Sequence, residues 1–91
     1  MRMTRRTIIT GDEHTLLLES VERFQPALRP LVDELVAEVR RLTADEGNSL
    51  RNAVGEDLAY SGFDEKYVPT ARGRALEDLI DTLGRVTAVF D

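Results

Sequence analysis

The segment GFDEKYVPTARGRALEDLID, Gly62 to Asp81, places a helix stop, an acidic aromatic loop and a capped amphipathic helix in direct succession. Gly62 fits the position just past a helix end, where a left-handed residue closes the last turn. Phe63 is then placed to pack on Leu58 as the apolar contact of a Schellman stop. Asp64 to Pro69 read as an ordered loop, and the Thr70 hydroxyl can take an orphan amide of the next helix. In that helix Leu76, Leu79, Ile80, Leu83, Val86 and Phe90 share one face, while Glu77, Asp78, Asp81 and Arg85 point outward.

The same periodicity extends toward the N-terminus. Leu50, Val54 and Leu58 recur every four residues and predict a helix starting at Asn48 or Ser49. Gly55 within it reads either as a close helix crossing or as tolerated variation that costs about 1 kcal/mol of propensity. Before it, Leu31, Leu35, Val36, Val39 and Leu42 form an apolar stripe opposite Asp33, Glu34, Glu38, Arg40 and Arg41, with Gly47 as a left-handed cap. That helix is expected to begin near Arg29 or Pro30, because Pro26 and Pro30 cannot both lie deep inside one helix. A first helix capped by Thr10 or Asp12 carries Leu17, Val21, Phe24 and Leu28, with Leu16 and Leu18 widening the apolar arc. Ahead of it, the β-branched Thr7, Ile8 and Ile9 favour extended backbone.

Four helices joined by short loops predict an all-α protein, a small four-helix bundle with a basic extended N-terminal arm at 1–10 and a single helical domain at 11–91. With 91 residues, such a domain buries roughly 60 to 65% of its unfolded surface and has little stability in reserve. Val89 and Phe90 extend the last stripe to the end of the sequence, so burial against a second copy, a possible homodimer, is an expectation. Apolar runs are too short for a transmembrane helix or a signal sequence, which points to a soluble, cytoplasmic protein. With no cysteine, disulfides, thiolate metal sites and cysteine nucleophiles are excluded.

Charge is unevenly distributed. Arg2, Arg5 and Arg6 precede Gly11, whereas residues 11–91 carry nine basic and seventeen acidic side chains, a balance of −8. Such a body repels nucleic acid. It either keeps a small protein in solution or presents an acidic face to a basic partner. Arginine outnumbers lysine eleven to one, which favours bidentate ion pairs.

The chain offers no catalytic kit. His14 is the only histidine, and Asp12, Glu13 and His14 diverge by about 100° per residue on a helix, so a solvated helix terminus is expected and a metal site is not. Glu56 with Asp57, and Asp64 with Glu65, are neighbours in sequence, whereas acid/base catalysis needs two carboxyls in different environments across a substrate. Ser49 and Ser61 have neither a nucleophile elbow nor a nearby histidine. No glycine pattern matches a phosphate loop or a dinucleotide site. The sequence therefore implies no cofactor, no metal and no enzymatic reaction.

Binding is the reading that remains. Glu56, Asp57, Asp64, Glu65, Glu77, Asp78 and Asp81 are the candidate contacts for a basic partner, with Tyr60 and Tyr67 as amphipathic anchors. The alternative for the two tyrosines is half-buried packing in the core. An acidic helical protein can mimic phosphate charge, associate rapidly and occlude the groove of a basic, nuclease-type toxin.

The stretch LRNAVGEDLAYSGFDEKYVPTARGRALEDLID, Leu50 to Asp81, resembles the C-terminal part of small helical immunity proteins from contact-dependent inhibition and related polymorphic toxin systems. The resemblance is carried by Gly62, Phe63 and Asp64, by Tyr67, Thr70 and Gly73, and by Leu76, Glu77, Leu79, Ile80 and Asp81. It covers about a third of the chain and implies neutralisation of a cognate toxin. Two other readings stand beside it. YVPTARGRAL resembles the wing-to-helix junction of winged-helix repressors, though no strand pair precedes Tyr67, and the basic arm with Thr7, Ile8, Ile9 and Thr10 resembles the dimeric ribbon of ribbon-helix-helix antitoxins, though those domains use two helices of modest size; Arg2, Arg5 and Arg6 are the residues at stake. Either would make the chain a small DNA-binding regulator. The last reading is a homo-oligomeric structural or adaptor module assembled through apolar helix faces.

Overall fold

Two Thr-x-Asp-Glu boxes, Thr10 to Glu13 and Thr43 to Glu46, decide where two of the helices begin. In each, the threonine hydroxyl accepts from the glutamate amide at 3.1 Å and the glutamate carboxylate accepts from the threonine amide at 2.9 Å. Each box thus satisfies two donors that an open helix end would leave unpaired. The computed structural model of the chain describes residues 9–37 and 42–87. Among these, four α-helices occur: α1, Gly11–Phe24; α2, Arg29–Ala37; α3, Ala44–Ser61; and α4, Ala71–Arg85. A single 3₁₀ turn, Pro26–Leu28, joins α1 to α2. The all-α architecture of a small bundle is thereby established.

α3 is the central helix and packs on both α1 and α4, while α2 leans on α1. The core is built from Leu17, Val21, Val32, Leu35, Leu50, Ala53, Val54, Leu76, Leu79 and Leu83, joined by Ile9 and Leu42 from outside the helices. Pro30 occupies the second position of α2, where its missing amide proton is no loss. Arg29 pairs with Glu22 of α1 and with Asp33 one turn ahead in α2, which holds the α1–α2 corner.

The structure corrects several boundary expectations. Gly47 is no helix stop: it lies inside α3, whose cap is Thr43 rather than Asn48 or Ser49. It is needed for close approach, because a methyl group there would overlap the Thr87 side chain. Gly55 has open space around its Cα, so it marks no helix crossing. Gly62 is right-handed, with φ −84° and ψ −10°. The left-handed residue of this turn is Tyr67 at φ 62°. Residues 1–8, 38–41 and 88–91 lie outside the described residues. With them fall Arg2, Arg5 and Arg6 of the arm, Val39 of the second stripe, and Val89 and Phe90. Among the described residues the only strand-like pairings are two isolated bridges, Leu42 with Thr87 and Phe63 with Pro69, so no wing precedes α4.

Candidate protein-binding surface

The α3 face that packs inward is set by Leu50, Ala53 and Val54, and the same spacing carries Asp57 into the interior. Asp57 has no exposed surface, which overturns the expectation that it contacts a partner. Its carboxylate accepts from Ser20 of α1 at 2.7 Å, Ser61 at 2.6 Å and the Arg72 guanidinium of α4 at 2.6 Å. Arg72 also donates to Ser61 Oγ at 3.1 Å and to Glu19 at 2.8 Å. Burial pushes the Asp57 carboxyl up, but the hydrogen bonds from Arg72, Ser61 and Ser20, with the Arg72 charge, outweigh it and hold the group below the usual carboxylate range. The hydrogen bonds to Asp57 and Glu19 raise Arg72 above its already high value. A carboxylate so fully occupied is a poor proton acceptor. It serves to tie α1, α3 and α4 together.

Beside this cluster lies an open depression of about 620 Å³, lined by Glu19, Glu22, Arg23, Ser61 and Arg72. A smaller groove of about 250 Å³ lies between the start of α1 and α4, lined by Thr10, Asp12, Glu13, Leu16, Ala75 and Asp78. His14 departs from the solvated terminus expected of it. It sits a turn before Leu17 and Leu18 on the apolar arc, and its Nε2 is shielded from solvent with no hydrogen-bond partner among the described residues. No group of three or more histidine, aspartate or glutamate side chains converges to hold a metal among the described residues.

A different logic governs the turn from α3 to α4. Asp64 Oδ1 accepts from the amides of Lys66 at 2.8 Å and Val68 at 3.0 Å, forming an Asx-type turn. The Asp64 amide donates to the Val68 carbonyl and the Tyr67 amide to the Asp64 carbonyl, both at 2.9 Å. The base of the loop is closed by Thr70, whose amide donates to the Gly62 carbonyl at 2.8 Å. Its hydroxyl donates to the Ser61 carbonyl and accepts from the Gly73 amide as the cap of α4. A methyl group on Gly73 would overlap the Gly62 carbonyl, so glycine is what lets α4 start against the end of α3.

This framework holds Tyr67 out in solvent at 86% exposure, and Tyr60 is 67% exposed. Neither tyrosine is a half-buried core residue. Tyr60 meets Phe24 edge-on with ring centroids 5.8 Å apart, and the Arg23 guanidinium sits 4.9 Å from the centre of its ring. Phe63 and Val68 complete the set of exposed large apolar side chains among the described residues. All four occur within residues 60–68.

The remaining candidates are spread over several faces. Glu77, Asp78 and Asp81 are exposed on α4, Glu65 on the loop and Glu56 on α3. Asp78 borders the smaller groove. Glu56 accepts from Gln25 at 3.0 Å, which links α3 to the end of α1. Asp64 is exposed, but one of its oxygens is committed to the loop backbone. Buried Ser20, partly buried Arg72 and, at its solvent edge, Glu19 are the partners in the Asp57 network that sequence reasoning missed. A signal was present for Ser20, which lies beside Val21 on the buried side of α1, and the place of Asp57 on the buried stripe of α3 called for a cation without naming Arg72. No protein-family model matches the sequence, and neither curated proteins nor solved structures show a significant match to it.

Proposed function

We propose that the chain is a non-catalytic acidic protein-binding module, an immunity protein or antitoxin that neutralises a basic, nuclease-type toxin by covering its active surface. The observation that carries this reading is the outward display of Glu77, Asp78 and Asp81 on α4, of Glu56 on α3 and of Glu65 on the loop, on a body with a formal balance of −8. Exposed carboxylates stabilise a fold little. They attract a cationic partner over long range and set the orientation in which it docks. The immunity-protein resemblance of Leu50 to Asp81 supports the same reading, because its motif residues include Glu77 and Asp81.

The test is recovery of the tagged chain from its native cell at low salt, followed by purification of what it retains. A basic protein is expected, held in a 1:1 complex that dissociates as salt rises, with nuclease activity that falls in proportion to added chain. Reversing charge at Glu77, Asp78 and Asp81 together should weaken the complex by at least about tenfold without loss of helicity. Unchanged affinity in calorimetry would remove the α4 carboxylates from the interface. Recovery of no basic protein would contradict the reading as a whole.

A further inference from the structure

We propose that Tyr67 is the anchor of the binding surface, inserted into an apolar pocket with a lysine- or arginine-rich rim on the partner protein. The proposal rests on the reading of the chain as an acidic binding module, and specifies where that module docks.

Two observations converge on Tyr67. Its backbone lies at φ 62°, a conformation that a bulky side chain adopts at a cost and glycine adopts freely. The residue is 86% exposed, so packing within the fold does not repay that cost. A glycine at this position would serve the Asx-type turn better, and the contribution of the side chain therefore lies outside the chain. Backbone strain held in place by its surroundings is typical of ligand clamps.

The surroundings fit an anchor. Hydrogen bonds to Asp64 from the amides of Lys66, Tyr67 and Val68, the closure of the loop by Thr70 and the close contact at Gly73 fix the conformation before any partner arrives, which lowers the ordering cost of association. Tyr60, already held by Phe24 and Arg23, joins Phe63 and Val68 in one short segment. Large exposed apolar and aromatic side chains of this kind are typical of interaction surfaces. Charge selects the occupant. In sequence, Glu56, Asp64 and Glu65 flank the aromatics and Lys66 is the only cation from 59 to 69; Arg23 is engaged with the Tyr60 ring, and the acidic body as a whole repels a second copy of itself and nucleic acid alike.

The experiment replaces Tyr67, and separately Phe63, Asp78 and the α2 residue Asp33, with p-benzoylphenylalanine in the full chain, and irradiates the native cells. Crosslinking of one basic protein from positions 67 and 63 but not from 33 is expected. With that protein purified, Tyr67→Ala should weaken its binding at least about tenfold while the far-UV spectrum of the variant matches wild type. Crosslinks from 67 to a second copy of the chain or to nucleic acid would overturn the proposal, as would unchanged affinity of Tyr67→Ala. A basic protein crosslinked from 78 but not from 67 overturns the proposal and leaves the acidic-module reading standing. Absence of a basic protein at every position removes both.

Discussion

Asp57 and Tyr67 lie ten residues apart, at the two sides of one turn, and the fold treats them in opposite ways. The charged side chain is wholly buried and the aromatic one almost wholly exposed. Asp57 is surrounded by three donors from three helices, so its polarity is consumed in holding the bundle together. Tyr67 stands on a backbone that other hydrogen bonds hold in an unfavourable region. Where a polar group is saturated by the fold it informs on stability. Where an apolar group is displayed against local preference it informs on binding.

The contrast can be broken or sharpened by substitution. The largest effect is expected from Arg72→Ala, which leaves the Asp57 carboxylate buried without its cation. Such a change should lower unfolding free energy by about 3–5 kcal/mol in urea titrations. Arg72→Lys should recover only part, since a single ammonium cannot reach Asp57, Ser61 and Glu19 as the guanidinium fork does. A wild-type midpoint in Arg72→Ala would show that the cluster is dispensable. The same pair sets an acid limb. Because Asp57 is held below its ordinary value of 3.8, the unfolded chain takes up the proton first as pH falls. The stabilisation is full above the ordinary carboxylate range and is lost as pH drops through the depressed value. Urea midpoints from about pH 5 to about pH 2 should therefore fall less steeply in Asp57→Asn than in wild type.

A smaller effect is expected at the glycines. Gly73→Ala should cost about 1–3 kcal/mol, because the obstacle is the Gly62 backbone and not a side chain that can turn away. Gly55→Ala meets open space and should stabilise the exposed side of α3 by up to about 1 kcal/mol. Equal thermal shifts in the two variants would contradict the close α3–α4 contact that positions the loop.

Much of this was legible in the sequence. The helix faces, the Thr70 cap and the loop at 64–69 follow from spacing and turn chemistry, as does the start of α2 at Arg29. The start of α3 was misread because Gly47 resembles a stop, although Thr43 and Glu46 spell a capping box that satisfies the helix end four residues earlier. The burial of Asp57 follows from its place on the stripe of Leu50 and Val54, but the identity of its cation does not. Arg72 is fifteen residues away, and only the packing of α4 on α3 brings it there. For Tyr60 and Tyr67 the sequence left two readings open, outward anchors or half-buried packing, and the structure favours exposure. The direction of Tyr60 follows from its phase on α3, whereas that of Tyr67 depends on where the turn places its left-handed residue, a position the sequence suggests for Gly62.

The most direct measurement is the urea midpoint of Tyr67→Gly beside wild type. If the fold holds Tyr67 against its own preference, releasing the strain while losing almost no buried surface should leave stability unchanged or raise it by up to about 1 kcal/mol. A fall of more than about 1 kcal/mol would mean that the Tyr67 side chain stabilises the loop itself, and the division between a structural Asp57 and a displayed Tyr67 would be lost.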